Sequence, residues 1–286
     1  MEYSKAIELF KNYMEYKKLS VNTMKTYLSF LNNRFKSEDD ITAITHSDVA
    51  LEIMEYSKTH STQSTNLLYL SLKKFYDVLI NNLGVVEMIN PAENISTPKV
   101  TNKHHIALTE QEVQELIDCS SIREKAIIMT MFSTGIRAIE LQNITLTQYQ
   151  NRNADNEIVL KVTKGSCARS IFLSQAVCQA IDLYLNFRTE CDCEFLFVTN
   201  QGTQLSTQNM NKILKTVAVK CKFTRDKIEA LSNHVLRHTF CSVAINNGNP
   251  LQFVSQAMGH ASVKTTEKIY WHKENSNVKT IMQNMV

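Results

Sequence analysis

The chain has 286 residues, which is too long for one minimal domain and sufficient for two. Its 43% of hydrophobic residues can fill ordinary cores, and a net charge of only +3 excludes a polycation that binds nucleic acid through bulk charge alone. The seven cysteines lack zinc-site spacing, no signal peptide is evident, and no run approaches the roughly 20 apolar residues of a membrane span, so we expect a soluble, cytoplasmic protein with reduced thiols.

The first eighty residues have the periodicity of helices and few glycines or prolines. Apolar residues recur at helical spacing in 4–17, after Ser20, after Thr45 and in 62–82. Ser20 and Thr45 are suitable N-caps, because their side-chain oxygens accept hydrogen bonds from the first turn of a helix. We therefore predict a four-helix domain over residues 1–88.

The helical pattern stops in a segment that holds two of the three prolines, Pro91 and Pro98. Proline has no backbone N–H to donate and restricts the residue before it, so this segment is predicted to be a linker over 89–105. Its Lys99 and Lys103 are candidate phosphate contacts.

The second domain, 106–286, is predicted to be mostly helical. Thr109 and Glu112 have the spacing of a capping box. Two segments with alternating polarity, 157–163 and 169–173, predict adjacent strands. Further helices are predicted at 110–118, 122–133, 174–186, 207–220, 232–247 and 251–258. The predicted fold class is therefore mainly α (α+β), with a small antiparallel β-sheet.

Two arginines of this domain are candidates for binding the oxygens of a phosphodiester, because a guanidinium donates two parallel hydrogen bonds to phosphate. They are Arg137, within 134–141, and Arg237. His234 lies three residues before Arg237, so the two side chains share one face of a helix. Glu140 is expected to stabilise a helix or to position an arginine rather than to catalyse.

The predicted hairpin carries a lysine that is a candidate acid. Lys164 precedes Gly165 between the two strands, where a turn would present it to a ligand. A lysine can donate a proton to a departing oxygen, and its pKa falls when it is desolvated. Arg169, farther along the hairpin, is a candidate DNA contact.

A histidine and a tyrosine near the end of the sequence complete the set. His260 follows Gly259, which permits a sharp helix end, and its imidazole titrates near neutral pH. Tyr270 lies ten residues later. A phenol has a pKa near 10, so as a nucleophile Tyr270 would need cationic or basic neighbours.

These segments, in this order, resemble the tyrosine recombinases, also called integrases of the phage and Xer type. The resemblance implies a SAM-like core-binding domain and a catalytic domain that clamp DNA between them. It also implies a set of catalytic residues and a 3′-phosphotyrosine at the nucleophile, with no cofactor or metal. The implied catalytic residues are Arg137, Lys164, His234, Arg237, His260 and the nucleophile Tyr270.

The same resemblance implies a double-stranded DNA recombination site as the partner. Four protomers would act on two duplexes through a Holliday junction, with or without a second recombinase or accessory protein, and the tail 273–286 would dock on a neighbouring protomer. Because the first predicted helix starts almost at Met1, no arm-binding domain is expected, which favours an Xer-like enzyme. Chromosome partition by dimer resolution, integration, excision and inversion all remain open biological roles.

Three alternatives remain at this point. A type IB topoisomerase-like enzyme uses similar chemistry but reseals the same strand. A catalytically silent relative would only bind DNA. A metal-dependent nuclease would need a carboxylate cluster, which the sequence lacks, and would be inhibited by a chelator.

Overall fold

The computed structural model of the protein describes residues 1–98, 107–160 and 169–259. The chain divides into two compact units, Met1–Lys103 and His104–Val286. Within the described residues the helices and strands form a mainly helical fold with one two-stranded antiparallel sheet, which confirms the predicted fold class. In the same part of the chain, the search for a helix of sufficient length and hydropathy to cross a membrane finds none.

Helices that begin at predicted caps make up the first unit. Ser20 Oγ accepts a hydrogen bond from the Thr23 N–H at 3.1 Å, and Thr45 and Asp48 form a reciprocal capping box. Both predicted N-caps are confirmed. The helices are α1 (Tyr3–Tyr16), α2 (Val21–Asn32), α3 (His46–Thr59) and α4 (Thr62–Asp77), and α4 continues into a π-helical segment, Val78–Asn82.

Aromatic side chains fill the core of this unit. Phe10 of α1 and Phe75 of α4 pack edge to face with their ring centroids 5.5 Å apart. Tyr76 is fully buried, and its hydroxyl donates to the carbonyl oxygen of Ile41 at 3.1 Å. The favourable quadrupole geometry of such rings adds to the free energy gained by burying their area.

The described part of the predicted linker, residues 89–98, packs on the first unit. Asn90 is buried, and its amide donates to Asp77 Oδ1 at 2.8 Å and to the Lys73 carbonyl at 3.1 Å. Ala92 is fully buried in the core of the helices. A segment with satisfied polar groups and buried apolar side chains is part of a folded unit, although it has no helical or strand pattern.

The second unit contains the remaining helices and the sheet. The capping box of Thr109 and Glu112 is confirmed at the start of its first helix. Three short helices, Ala138–Gln142, Leu146–Gln150 and Arg225–Ala230, were not predicted, because five or six residues carry too little periodicity. The elements are α5 (Glu110–Asp118), α6 (Ile122–Thr134), α7 (Ala138–Gln142), α8 (Leu146–Gln150), β1 (Glu157–Leu160), β2 (Arg169–Phe172), α9 (Gln175–Leu185), α10 (Thr207–Lys220), α11 (Arg225–Ala230), α12 (Asn233–Asn246) and α13 (Leu251–Met258).

Two glycines in the left-handed conformation end helices next to the candidate active site. Gly135 ends α6 in the left-handed conformation, with φ of 59°, and a Cβ there would lie 2.4 Å from a ring carbon of Phe240. Gly259 ends α13 with φ of 65°. The sharp helix end predicted at Gly259 is thus confirmed.

Candidate active site

The structure describes four of the residues predicted for the site or its DNA contacts: Arg137, Arg169, His234 and Arg237. The remaining predicted residues lie outside the described part of the chain. They are Lys99, Lys103, Lys164, His260 and Tyr270.

Arg137 occupies the N-cap position of α7, two residues after the left-handed Gly135. Its guanidinium binds two partners: Nη1 donates to Glu140 Oε1 at 2.9 Å, and Nη2 donates to the Gly259 carbonyl at 2.8 Å. The side chain remains 26% exposed. Arg137 is therefore held in one orientation and is still accessible to a ligand.

Glu140 lies beneath Arg137 with only 3% of its side chain exposed. One of its oxygens also accepts the Arg137 N–H at 2.9 Å, and Arg169 Nη2 donates to that oxygen at 2.7 Å. Burial alone would raise the pKa of this carboxyl, but the Arg137 N–H bond and the charges of Arg169 and Arg137 outweigh burial and lower the pKa. Glu140 thus contacts Arg137 through both of its oxygens, as expected of a residue that stabilises a helix start or positions an arginine.

Arg237 is the most deeply buried of the predicted arginines, with 5% exposure. It connects two chain segments, because Nη1 donates to the Gly135 carbonyl and Nη2 donates to the Met258 carbonyl at 2.6 Å. Burial, together with the charges of Arg137 and Arg169, lowers the pKa of Arg237 to about 10, so it stays charged at neutral pH. His234 lies one turn earlier on α12 and is exposed.

Arg169, which was predicted to be a DNA contact, has a mostly buried side chain. Its side chain is only 7% exposed, and besides Glu140 it binds the Ala257 carbonyl through Nη1. The alternation of β2 contained a signal for this burial. Arg169 and the buried Ile171 are two residues apart and so lie on one face of the strand.

The three arginines converge on the C-terminal end of α13. Three consecutive carbonyls there, at Ala257, Met258 and Gly259, each accept a hydrogen bond from a different arginine. The last carbonyls of a helix lack intrahelical partners and carry partial negative charge, so they attract cations. This arrangement fixes the residue that precedes His260 in the sequence, and it was not predictable from sequence patterns.

The cluster has an excess of positive charge. Three guanidiniums surround one carboxylate, and these four groups sum to +2. Concentrated positive charge in a partly buried site attracts an anion, and the Arg137 guanidinium is 26% exposed and so accessible to one. The arrangement is suited to binding a phosphodiester and to stabilising the charge that develops when it is attacked.

Comparison with known proteins identifies the family. Residues 107–277 match the phage integrase family, which is more than half of the chain. The chain is 28% identical over 276 residues to the tyrosine recombinase XerA of Pyrococcus furiosus, covering 92% of this chain and 88% of that protein. It is also 28% identical over 292 residues to the tyrosine recombinase XerC of Leptospira interrogans, covering 95% and 90%.

Solved structures agree with this assignment. The crystal structure of XerA recombinase is 27% identical, with a TM-score of 0.54 over 99% of this chain and 98% of that one. Two further structures share the fold at lower identity. The Tn1549 transposon integrase with transposon right end DNA has a TM-score of 0.73 at 17% identity, covering 100% and 99%, and XerH recombinase bound to palindromic difH has 0.73 at 19%, covering 97% and 84%. The chain therefore belongs to the phage integrase family and is a tyrosine recombinase.

Proposed function

We propose that this protein cuts and rejoins DNA at a specific double-stranded site through a covalent link to Tyr270. The observation that carries the proposal is the meeting of Arg137 and Arg237, one hundred residues apart in sequence, at the Met258 and Gly259 carbonyls. The phenol of Tyr270 follows that helix end by eleven residues. Binding of the phosphate by the two arginines would bring the scissile bond to the segment that carries the nucleophile.

In this mechanism Arg137 and Arg237 neutralise the nonbridging oxygens of the scissile phosphate. Arg137 supplies the accessible guanidinium, and Arg237 supplies buried positive charge. Preorganised donors of this kind cost no reorganisation when charge develops, and removal of one costs about 3 kcal/mol of transition-state stabilisation in other enzymes.

The tyrosine oxygen of Tyr270 attacks the phosphorus and forms a bond to the 3′-phosphate, while the bond from phosphorus to the 5′ oxygen breaks. His234 and His260 are proposed to receive or relay the phenolic proton, and Lys164 to donate a proton to the leaving 5′ oxygen. A 5′ hydroxyl of a partner strand then attacks the phosphotyrosine and releases Tyr270. The ester bond conserves the energy of the phosphodiester, so resealing needs no ATP. In this proposal the arginines supply the positive charge that a metal ion supplies in other phosphoryl-transfer enzymes.

We further propose the assembly in which the reaction takes place. XerH is described bound to palindromic difH, and lambda integrase as a dimer bound to a core site. By analogy, four protomers of this protein would exchange strands through a Holliday junction, two tyrosines at a time, with or without a second recombinase or accessory protein. The tail 273–286 would dock on a neighbouring protomer.

The roles of the two domains are part of the same proposal. The core-binding domain, 1–88, and the catalytic domain, 106–286, would each bind the duplex, and the segment 89–105 would contact phosphates through Lys99 and Lys103. A DNA substrate is in keeping with a cytoplasmic location.

The test is the formation of a protein–DNA adduct that resists SDS, on supercoiled DNA carrying fragments of the host genome, in the presence of EDTA. Wild type is expected to form the adduct and Tyr270→Phe is expected to lose it. Tyr16→Phe is the matched control, because Tyr16 is 77% exposed in the first unit. Binding without an adduct in either protein would contradict the proposal, and relaxation without strand exchange would indicate a topoisomerase.

A further inference from the structure

We propose that Arg169 is a positioning residue that holds Glu140, and through it Arg137, against the end of α13. This inference rests on the proposed function. It replaces the direct DNA contact that the sequence suggested for Arg169 with an indirect role inside the protein.

The first support is the sequence of contacts that joins the two arginines. Arg169 Nη2 and the backbone N–H of Arg137 share Glu140 Oε2 at 2.7 and 2.9 Å, and Arg137 Nη1 takes the other oxygen at 2.9 Å. The Glu140 side chain is only 3% exposed, so water competes little for either of its oxygens. Without Arg169, Glu140 Oε2 would lose its guanidinium partner, and the carboxylate that orients Arg137 would be held by fewer contacts.

The second support is the close approach of Arg169 to the end of α13. A Cβ on Gly259 would lie 2.5 Å from Arg169 Cδ and 2.6 Å from its Nε. Arg169 Nη1 also donates to the Ala257 carbonyl. The Arg169 side chain therefore lies against the last turn of α13, and Arg137 binds the carbonyl of the same Gly259 at 2.8 Å.

The third support is the place of Arg169 in the fold. It begins β2 and pairs with Leu160 at the end of β1, so it belongs to the hairpin, whereas Glu140 belongs to α7. One side chain therefore joins the hairpin, α7 and α13. A residue that fixes three elements around the phosphate-binding arginine would set their relative positions without touching DNA.

The variants for the test are Arg169→Ala and Arg169→Lys, with Arg188→Ala as the matched control. Arg188 also binds backbone carbonyls, those of Cys193 and Phe195 at 2.7 and 2.9 Å, and these are not the carbonyls at the end of α13. It reports what the loss of a carbonyl-binding arginine does to the fold alone.

The first readout is the rate of adduct formation at saturating DNA. Misplacement of a reacting group by about 1 Å can cost about 100-fold in rate, so we expect a loss of that order in Arg169→Ala. Arg169→Lys should recover part of the rate, because it keeps the charge but lacks the second donor. Arg188→Ala should retain the wild-type rate. A wild-type rate in Arg169→Ala would overturn the proposal.

The second readout separates positioning from DNA contact. A phosphate contact contributes about one unit to the slope of log affinity against log salt concentration. We expect Arg169→Ala to keep the wild-type slope. A slope that is smaller by about one unit would show that Arg169 touches DNA, and would overturn the proposal.

The third readout needs no DNA and so separates this inference from the proposed function. Urea denaturation gives the unfolding free energies of four proteins: wild type, Arg169→Ala, Glu140→Gln and the double variant. These four values form a double-mutant cycle. We expect non-additive losses, because both single changes break the same interaction. Additive losses would overturn the proposal, even if wild type formed no adduct and the proposed function failed.

Discussion

Glu140 shares one carboxylate between Arg137 and Arg169 and is almost without solvent contact. Glu140→Gln keeps the size of the side chain but removes its charge, which leaves two guanidiniums close together without a counterion. Removing one partner from a buried ion pair costs about 3 to 5 kcal/mol in other proteins, so we expect a loss of this order in the free energy of unfolding. Denaturation in urea measures it.

The pH dependence of that loss gives a second measurement. The pKa of Glu140 is lowered in the folded protein, so its stabilising effect is present above the unfolded value of about 4.3 and is lost as pH falls through the folded value. The difference in melting temperature between wild type and Glu140→Gln should therefore be constant near neutral pH and shrink below about pH 4. A difference that stays constant down to pH 3 would contradict the assignment of charge to Glu140.

The chemistry of single residues was the most predictable part of the site. Arginine is suited to binding phosphate, so Arg137 and Arg237 could be named as candidates from residue type, and the resemblance of their motifs to a known family favoured them over surface arginines. Arg169 was predicted to contact DNA rather than Glu140, because Glu140 is twenty-nine residues away in sequence and only the folded structure brings the two together. Its place on the same strand face as Ile171 was the available clue.

At the scale of elements, the end of α13 depends on glycine for two separate reasons. Gly259 has φ of 65°, and a Cβ there would meet Arg169. Gly248 also has positive φ, 82°, but a Cβ there would have nothing within 4 Å. A left-handed non-glycine residue costs about 1 to 2 kcal/mol, so both Gly→Ala variants should lose that much stability.

Gly259→Ala should lose more stability than Gly248→Ala, because its Cβ also displaces Arg169 from the site. For the same reason only Gly259→Ala should slow adduct formation. Thermal unfolding and cleavage assays on the two variants measure this difference. Equal effects in Gly259→Ala and Gly248→Ala would contradict the close packing between Arg169 and the helix end.

Long elements were predictable, and short or irregular ones were not. The helix predicted at 207–220 matches the structure at both ends, and the predicted caps at Ser20, Thr45 and Thr109 are all present, because a side-chain oxygen next to an apolar stripe is a local signal. The five-residue α7, which carries Glu140, gave no such signal. Its conformation is set by the turn at Gly135 and by packing.

The packed segment after α4 belongs to the same scale. Asn90 donates to Asp77 and to the Lys73 carbonyl and accepts from the Ala92 N–H, so Asn90→Ala would leave that buried N–H without its acceptor. We expect a loss of about 1 to 3 kcal/mol in the unfolding free energy of the first unit. Asn22→Ala, at an exposed position of α2, is the control and should change stability little. Equal stability of the two variants would show that this segment does not support the unit.

At the scale of the whole molecule, charge is concentrated rather than abundant. The net charge of the chain is only +3, yet three guanidiniums meet at one helix end in the second unit. The division into two units at about residue 103 leaves this cluster entirely within the second unit. Composition therefore gave little indication of a DNA enzyme, whereas the order of the short motifs gave a strong one. The match to the phage integrase family covers the same unit.

The proposed reaction requires that Tyr270 attack a phosphate bound by Arg137 and Arg237. The most direct measurement is to trap the adduct on a nicked DNA substrate carrying the recognition site and to identify the modified peptide by mass spectrometry. We expect a 3′-phosphate attached to Tyr270, formed with EDTA present and strongly reduced in Arg237→Lys. A 5′-linked phosphate, or attachment to a residue other than Tyr270, would contradict it.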